Sequence, residues 1–101
     1  MNIKIYEKPV ITKFVSIDGV EFELGKLYGC LNQLLEETKE DDHYGDYSLR
    51  GYEVHDIETM KKLVNMGFVK NYTGSRMADL YCMEDKNKIS SLLDSLYNLD
   101  S

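Results

Sequence analysis

Cysteine, proline and long apolar runs are scarce in this chain, which argues against a disulfide framework, a zinc site and a membrane span. Its 101 residues include two cysteines and one proline. No apolar run reaches the roughly 20 residues of a membrane-spanning helix or the length of a signal peptide. Cys30 and Cys82 stand inside apolar patterns and lack the spacing of zinc or redox motifs. We therefore expect a cytoplasmic protein with two buried free thiols and no disulfide.

Length and composition indicate one small folded domain. Apolar residues make up 43% of the chain and charged residues 30%, which is ordinary for a globular protein. No linker, repeat or low-complexity stretch divides the chain, so we expect residues 1–101 to form a single domain. A domain of this size buries one modest core and has little room for a deep substrate cavity.

No catalytic or cofactor-binding motif is present. Neither of the two histidines, His43 and His55, has a nucleophile at motif spacing. Gly25 and Gly29 flank a predicted helix start, but they lack the lysine and the following hydroxyl residue of a phosphate-binding loop. We expect no enzymatic activity and no cofactor.

One stretch offers possible metal ligands, namely Asp41, Asp42, His43 and Asp46. A calcium loop that began at Asp42 would place Tyr47 where a glycine is required. Zinc would need more histidine or cysteine at fixed spacing. We expect no bound metal.

The first quarter of the chain alternates apolar and polar residues, as β-strands do. Pro9 separates a run around Ile3 and Ile5 from a second run that leads to Phe14. Asp18-Gly19 lies between two such runs and suits the positive φ angles of a tight hairpin turn. We therefore predict a small antiparallel sheet at the N-terminus.

The rest of the chain changes between helical and strand periodicity. A first helix collects its apolar residues on one face: Leu24, Leu27, Leu31, Leu34 and Leu35. The later elements are predicted as helix 56–66, strands 68–72 and 77–83 around a turn at 73–76, and helix 85–97. The later stripes are Ile57, Met60, Leu63 and Val64, then Ile89, Leu92, Leu93, Leu96 and Tyr97. Asp56 suits an N-cap and Gly67 a helix end. We expect one core to hold Leu31, Leu34, Leu63, Leu80, Leu92 and Leu96.

Residues 56–96 resemble the second half of a winged helix-turn-helix domain. The run from Thr59 to Val69 is similar to the family's recognition helix, which ends in a leucine, a glycine and an apolar pair. The resemblance implies that residues 68–83 form the wing, with its tip at residues 72–76. It covers about 70 residues if the helix 27–37 is the family's first helix. The implied fold is α+β, with N-terminal antiparallel strands, a winged-helix-like core and a C-terminal helix.

The sequence differs from this family between residues 38 and 55. A short apolar positioning helix belongs there, but the stretch is acidic, rich in tyrosine and weakly periodic. Residues 43–51 instead predict a loop, with either one turn or a short strand near residues 48–50.

The resemblance implies a nucleic-acid surface as one possibility. Its residues are Arg50, Lys61, Lys62, Lys70, Tyr72 and Arg76. The resemblance places Lys61 and Lys62 on the outer side of the second helix. It places Lys70 and Arg76 on the wing, and positive groups at these positions could neutralise phosphates. The alternative interpretation is a solvated face, because residues 50–76 carry a surplus of only two positive charges.

The acidic segment offers a second possible surface. It comprises Glu36, Glu37, Glu40, Asp41, Asp42, Tyr44, Asp46 and Tyr47. Carboxylates interleaved with aromatic rings suit a basic partner, whose phosphate sites they can occupy. The alternative is a solvated loop that keeps the protein soluble.

Net charge separates the functional hypotheses, because at −6 the chain repels polyanions at long range. We expect a small, acidic, non-enzymatic regulator or inhibitor of the kind that phages and mobile elements encode. It would bind a host protein on a winged-helix-like scaffold, and a protein that processes nucleic acid is one candidate. The alternative is a DNA-binding winged-helix transcriptional regulator, which would act as a dimer.

Overall fold

The chain folds into helices and antiparallel strands, which confirms the α+β class. The structure is a computed structural model that describes residues 1–9, 12–36, 39–40, 47–73 and 79–100. The strands are β1 (Ile3–Lys8), β2 (Thr12–Ile17), β3 (Val20–Glu23), β4 (Lys39–Glu40), β5 (Tyr47–Arg50), β6 (Val69–Thr73) and β7 (Asp79–Met83). The helices are α1 (Leu24–Glu36), α2 (Ile57–Asn65) and α3 (Lys86–Asp100), with a 3-10 turn at Gly51–Glu53. No helix in these ranges is both long enough and apolar enough to cross a bilayer.

The N-terminal sheet has the order β1-β2-β3 and is antiparallel throughout, as predicted. Its second hairpin turns at Asp18 and Gly19, whose φ angles are 50° and 87°. Positive φ at both central residues is the condition for a two-residue turn that matches the twist of the strands. The inner face of this sheet carries Val15 and Phe22, which are fully or almost fully buried against α1.

The second sheet has the order β4-β5-β7-β6. Its β6–β7 hairpin confirms the two predicted strands, with Val69 opposite Met83 and Thr73 opposite Asp79. The predicted turn beyond Thr73, which would hold Arg76, lies outside the described residues. Between α1 and α2 the described residues contain β4, β5 and the 3-10 turn, so residues 39–40 and 47–56 include no α-helix.

Helix α2 begins and ends as its sequence predicts. The Asp56 carboxylate accepts hydrogen bonds from the backbone N–H and the hydroxyl of Thr59, at 3.0 and 2.6 Å. At the other end Gly67 has a φ of 84°, and the N–H of Phe68 donates to the carbonyl of Leu63 at 3.0 Å. This bond satisfies a carbonyl that the helix itself leaves unpaired.

One core cluster joins the N-terminal sheet, the three helices and the inner face of the second sheet. Five of the six leucines predicted to share it do so: Leu31, Leu34, Leu63, Leu92 and Leu96. The prediction is wrong for Leu80, which is buried but lies outside the cluster. Tyr81 faces the cluster, so its neighbours in β7, Leu80 and Cys82, face the opposite side of the sheet.

Two residues of the predicted helical stripes are exposed. Ile57 is 36% exposed and Tyr97 48%, whereas Met60, Leu63 and Ile89 are fully buried. Both exposed residues lie at the margin of their stripe, where periodicity alone does not fix the width of the buried face.

The end of α3 is fastened to α1 and β2 by a polar and aromatic cluster. The rings of Tyr28 and Tyr97 stack with centroids 5.0 Å apart. Asp100 accepts hydrogen bonds from Lys13 Nζ at 2.8 Å and from the Tyr28 hydroxyl at 3.2 Å. Burial, and then the charge and hydrogen bond of Asp100, raise the pKa of Tyr28 to about 12.

Replacing Leu63 should destabilise the whole fold. Its side chain is fully buried in the core cluster, so Leu63→Ala loses transfer free energy and leaves a cavity. We expect a loss of about 2–5 kcal/mol, measured by urea unfolding. Lys61→Ala, an exposed change in the same helix, is the control and should shift the midpoint little. Equal midpoints for the two variants would contradict the assignment of this face.

Tyr28 should titrate well above the ordinary pKa of a phenol. The difference between the ultraviolet pH titrations of the unmodified chain and of Tyr28→Phe should show one phenol with a pKa of about 12. Because the folded-state pKa is raised, the stabilisation is complete below the ordinary value near 10 and is lost as pH rises towards 12. Asp100→Asn should lower the pKa of Tyr28 and leave the effect of burial. If the phenol in the difference between the unmodified chain and Tyr28→Phe titrated near 10, this arrangement would be contradicted.

Candidate functional site

Only two parts of the acidic segment belong to the described residues: its first residue, Glu36, and the short strand pair of β4 and β5. Glu36 is the last residue of α1 and is exposed. Glu40 and Tyr47 pair as backbone neighbours of β4 and β5, but their side chains lie outside the description. The remaining residues of the set also lie outside it: Glu37, Asp41, Asp42, Tyr44 and Asp46, as do the candidate metal ligands. Among the described side chains, no group of three or more His, Cys, Asp or Glu could hold a metal ion.

A polar groove of about 230 Å³ lies where α1 meets the approach to α2. Its lining residues are Gly29, Asn32, Gln33, Glu36, Glu53 and His55. Gln33 fixes one wall, because its amide nitrogen donates to the carbonyl of Glu53 and its amide oxygen accepts from the N–H of His55 at 2.8 Å. These bonds satisfy backbone groups at the end of the 3-10 turn and just after it.

The groove depends on a glycine within α1. A Cβ at Gly29 would clash with Cδ2 of His55 and would stand 2.6 Å from its Nε2 and 2.9 Å from its Cγ. The imidazole therefore packs directly on the helix backbone. Gly25 and Gly29 were expected to flank the helix start, but both lie within α1, so that expectation is wrong. A glycine inside a helical pattern was the available signal for close packing.

The groove has an electrostatic bias towards cations. Glu36 stands at the C-terminal end of α1, and the last turn holds no basic residue. A helix C-terminus carries partial negative charge, so a carboxylate there is unfavourable for the helix. Glu53 adds a second carboxylate, whose Oε1 accepts the backbone N–H of Arg50 at 3.2 Å. Neither lysine nor arginine is among the described lining residues.

An exposed aromatic residue stands next to this groove in sequence. Tyr52 is 80% exposed, the highest value among the large hydrophobic side chains described. Its hydroxyl accepts from Arg50 Nη1 at 3.4 Å. Sequence reasoning missed Tyr52, because a residue in a 3-10 turn belongs to no periodic pattern. The predicted contact residue Tyr72 is half-buried in β6.

The basic set predicted for nucleic acid is divided by the fold. Lys62 turns back onto the N-terminal sheet, where its Nζ donates to the carbonyl of Glu21 at 2.7 Å and lies 5.5 Å from the Phe22 ring centroid. Lys61 is exposed on the same helix. Arg76 lies outside the described residues.

The second sheet gathers the other three members of that set on its outer face. Arg50 and Tyr72 both lie opposite Leu80, and Lys70 lies opposite Cys82. Cross-strand partners share a face, so this face is the side that points away from the core. The structure thus supports a small cluster on the sheet, separate from Lys61 and Lys62 on α2.

A larger recess of about 320 Å³ lies elsewhere, between the end of α2 and the start of α3. It is lined by Met1, Met66, Phe68, Asp85, Asn87, Lys88 and Ser91. Its one carboxylate and one lysine give no charge preference. We therefore take the smaller polar groove as the candidate site.

Comparisons with models of known protein families, with characterised proteins and with solved structures find no match for this chain.

The packing of His55 on Gly29 should show in a double-mutant cycle. With His55 present, Gly29→Ala forces the imidazole away. In a His55→Ala background the same change should stabilise the helix by about 1 kcal/mol, because alanine has the higher helix propensity. Urea unfolding of the four chains gives the coupling.

Gly25→Ala is the matched control. A Cβ there meets nothing within 4 Å, so it should stabilise equally in both backgrounds. If Gly29→Ala also had equal effects in both, the imidazole would not pack on α1 as described.

Proposed function

We propose that this chain is a small non-enzymatic regulator that binds a basic segment of a partner protein. The contact surface would be the polar groove together with the acidic segment that begins at Glu36. The observation that carries the proposal is the groove itself. Glu36 stands at the negative end of α1, Glu53 adds a second carboxylate, and neither lysine nor arginine is among the described lining residues.

The distribution of cations elsewhere supports this choice. Four lysines are bound to groups of the same chain: Lys8 to Glu21, Lys13 to Asp100, Lys26 to Glu23, and Lys62 to the carbonyl of Glu21. These four lysines are compensated within the fold, whereas no lysine or arginine is among the described residues that line the groove. A lysine or arginine of a partner would supply the missing cation.

The groove and its surroundings also offer what a protein interface needs. Tyr52 presents a rigid ring at low entropic cost, as anchor residues of interfaces do. Gln33 holds the groove wall in place before binding, so little order has to be created on association. The groove is small, so an inserted arginine or lysine side chain suits it better than a large ligand.

For the scaffold we propose a winged-helix-like arrangement. Its support is the order of elements: α1, α2, the β6–β7 hairpin and α3 follow one another as the resemblance implies. The 3-10 turn at Gly51–Glu53 and β5 stand where the family's positioning helix would be. A regulator or inhibitor of phage or mobile-element type, aimed at a nucleic-acid-processing host protein, fits carboxylates that can take the place of phosphates.

The alternative, DNA binding, has one observation in its favour. Arg50, Lys70 and Tyr72 share the outer face of the second sheet. Against it, Lys62 of the would-be recognition helix is held against Glu21 and Phe22. The overall charge of −6 also opposes a polyanion.

Charge-neutral variants test the proposal. Glu36→Gln combined with Glu53→Gln should slow association with a partner captured from a lysate by about tenfold at low salt, since charge acts mainly on the association rate. The Glu53 amide oxygen still accepts the N–H of Arg50, so the fold is kept. Glu84→Gln combined with Asp94→Asn, two exposed changes outside the groove, is the matched control. Surface plasmon resonance at about 0.1 and 1 M salt also tests screening, because the Debye length falls from roughly 10 to 3 Å.

A gel shift on duplex DNA decides between the two functions. The proposal expects that the unmodified chain does not shift the DNA. It also expects that the partner binds more weakly when Glu40, Asp41, Asp42 and Asp46 are changed to amides. Duplex binding that Lys61→Ala and Lys70→Ala abolish, and that the glutamine variants leave unchanged, would establish the alternative and overturn the proposal.

A further inference from the structure

The outer edge of β1 is open. β1 pairs with β2 over all its residues, from Ile3 opposite Ile17 to Lys8 opposite Thr12. No strand of the described part of the chain pairs with its other edge. Ile3 and Ile5 pack against the core cluster yet stay only partly buried. A six-residue strand without proline in its interior is therefore available for pairing.

The hydrogen-bonding pattern shows which residues face outwards. Asn2 accepts the N–H of Asp18 through its carbonyl, at 2.7 Å, so Asn2 points towards β2. Because backbone groups alternate in an antiparallel pair, Lys4, Tyr6 and Lys8 also bond to β2. Ile3, Ile5 and Glu7 then direct their N–H and C=O groups to the open edge.

These outward residues and the charges of β1 select one antiparallel register for two copies. With Ile5 opposite Ile5, Ile3 faces Glu7 twice, so all three outward residues find partners. On the other face Lys4 then lies opposite Tyr6, and Asn2 opposite Lys8. Shifting one strand by two residues, so that Ile5 lies opposite Glu7, sets Lys4 against Lys8. The opposite shift, with Ile5 opposite Ile3, sets Lys4 against Lys4. Like charges directly opposite are destabilising.

We propose that two copies of this chain pair through β1, antiparallel, with Ile5 on the two-fold axis. The result is a continuous six-stranded sheet. Ile3 and Ile5 of both copies lie next to one another on its inner face. The lysines of β1, which usually protect an edge from pairing, here exclude the wrong registers. A strand-edge contact is small, so its affinity should lie at the weak end for protein interfaces, with a dissociation constant on the order of micromolar. No lining residue of the polar groove belongs to β1, so the inference does not depend on the proposed function.

Single cysteines test the register. In this register the two Ile5 Cα atoms lie about 5.5 Å apart, within disulfide reach. Ile5→Cys should therefore form covalent dimers under mild oxidation. Glu7→Cys, equally placed on the edge, faces Ile3 of the other copy and lies roughly 13 Å along the strand from its own counterpart. It should stay monomeric alone and cross-link when mixed with Ile3→Cys. The native thiols are both buried, so they do not compete.

Sedimentation of uncross-linked chains tests the same contact by charge. Tyr6→Lys would place two lysines opposite Lys4 residues and should weaken the dimer by on the order of tenfold. Tyr6→Phe, which keeps the ring, should sediment as the unmodified chain does. Circular dichroism checks that each variant is folded.

Two results would overturn the inference. One is a single-chain mass for the unmodified protein at concentrations well above micromolar. The other is cross-linking of Ile5→Cys no faster than that of Glu7→Cys, even where a two-chain mass is found, because the copies would then meet through another surface.

Discussion

The burial of one face of α1 is the constraint on which the rest of the structure depends. Leu27, Leu31 and Leu34 are fully buried, and α1 packs against β2 and β3 of the N-terminal sheet and against both other helices. Full burial of such a side chain is worth about 1.5–3 kcal/mol, so this face cannot turn to solvent. The opposite, polar face is thereby fixed in direction. Asn32, Gln33 and Glu36 line the groove because the leucines of the same helix have taken the interior.

The parts of the fold that are local in sequence were predictable, and those that join distant residues were not. Asp56 and Gly67 act within a few residues, so cap chemistry placed both ends of α2. The sequence could not predict which face of β7 turns to the core. Apolar residues occupy both of its faces, and only tertiary packing chooses between Leu80 and Tyr81. The groove was invisible for the same reason. Gln33 and His55 are 22 residues apart, and no periodicity relates them. Lys62 was assigned to an outer face, but a contact with Glu21, 41 residues away, determines its direction.

The ion pairs of this fold set where charge is presented more than how stable the protein is. The pairs Lys8–Glu21, Lys13–Asp100 and Lys26–Glu23 all involve substantially exposed side chains. Such pairs contribute little free energy, because water and salt screen them. Their effect is to compensate these three lysines locally, with carboxylates that do not line the groove. Stability therefore comes from the apolar core, and the surface pattern is free to serve recognition.

Self-pairing through β1 would change what the groove can do. Each copy would carry one groove, related to the other by the two-fold axis at Ile5. A partner with two basic segments could then bind both, and the second contact would form at the high effective concentration of a linked site. Two shallow grooves that bind weakly can act together in this way, provided that the spacing of the partner's segments matches that of the grooves. The twist and edge of the N-terminal sheet, which set that spacing, would thus contribute to partner choice although neither touches the partner.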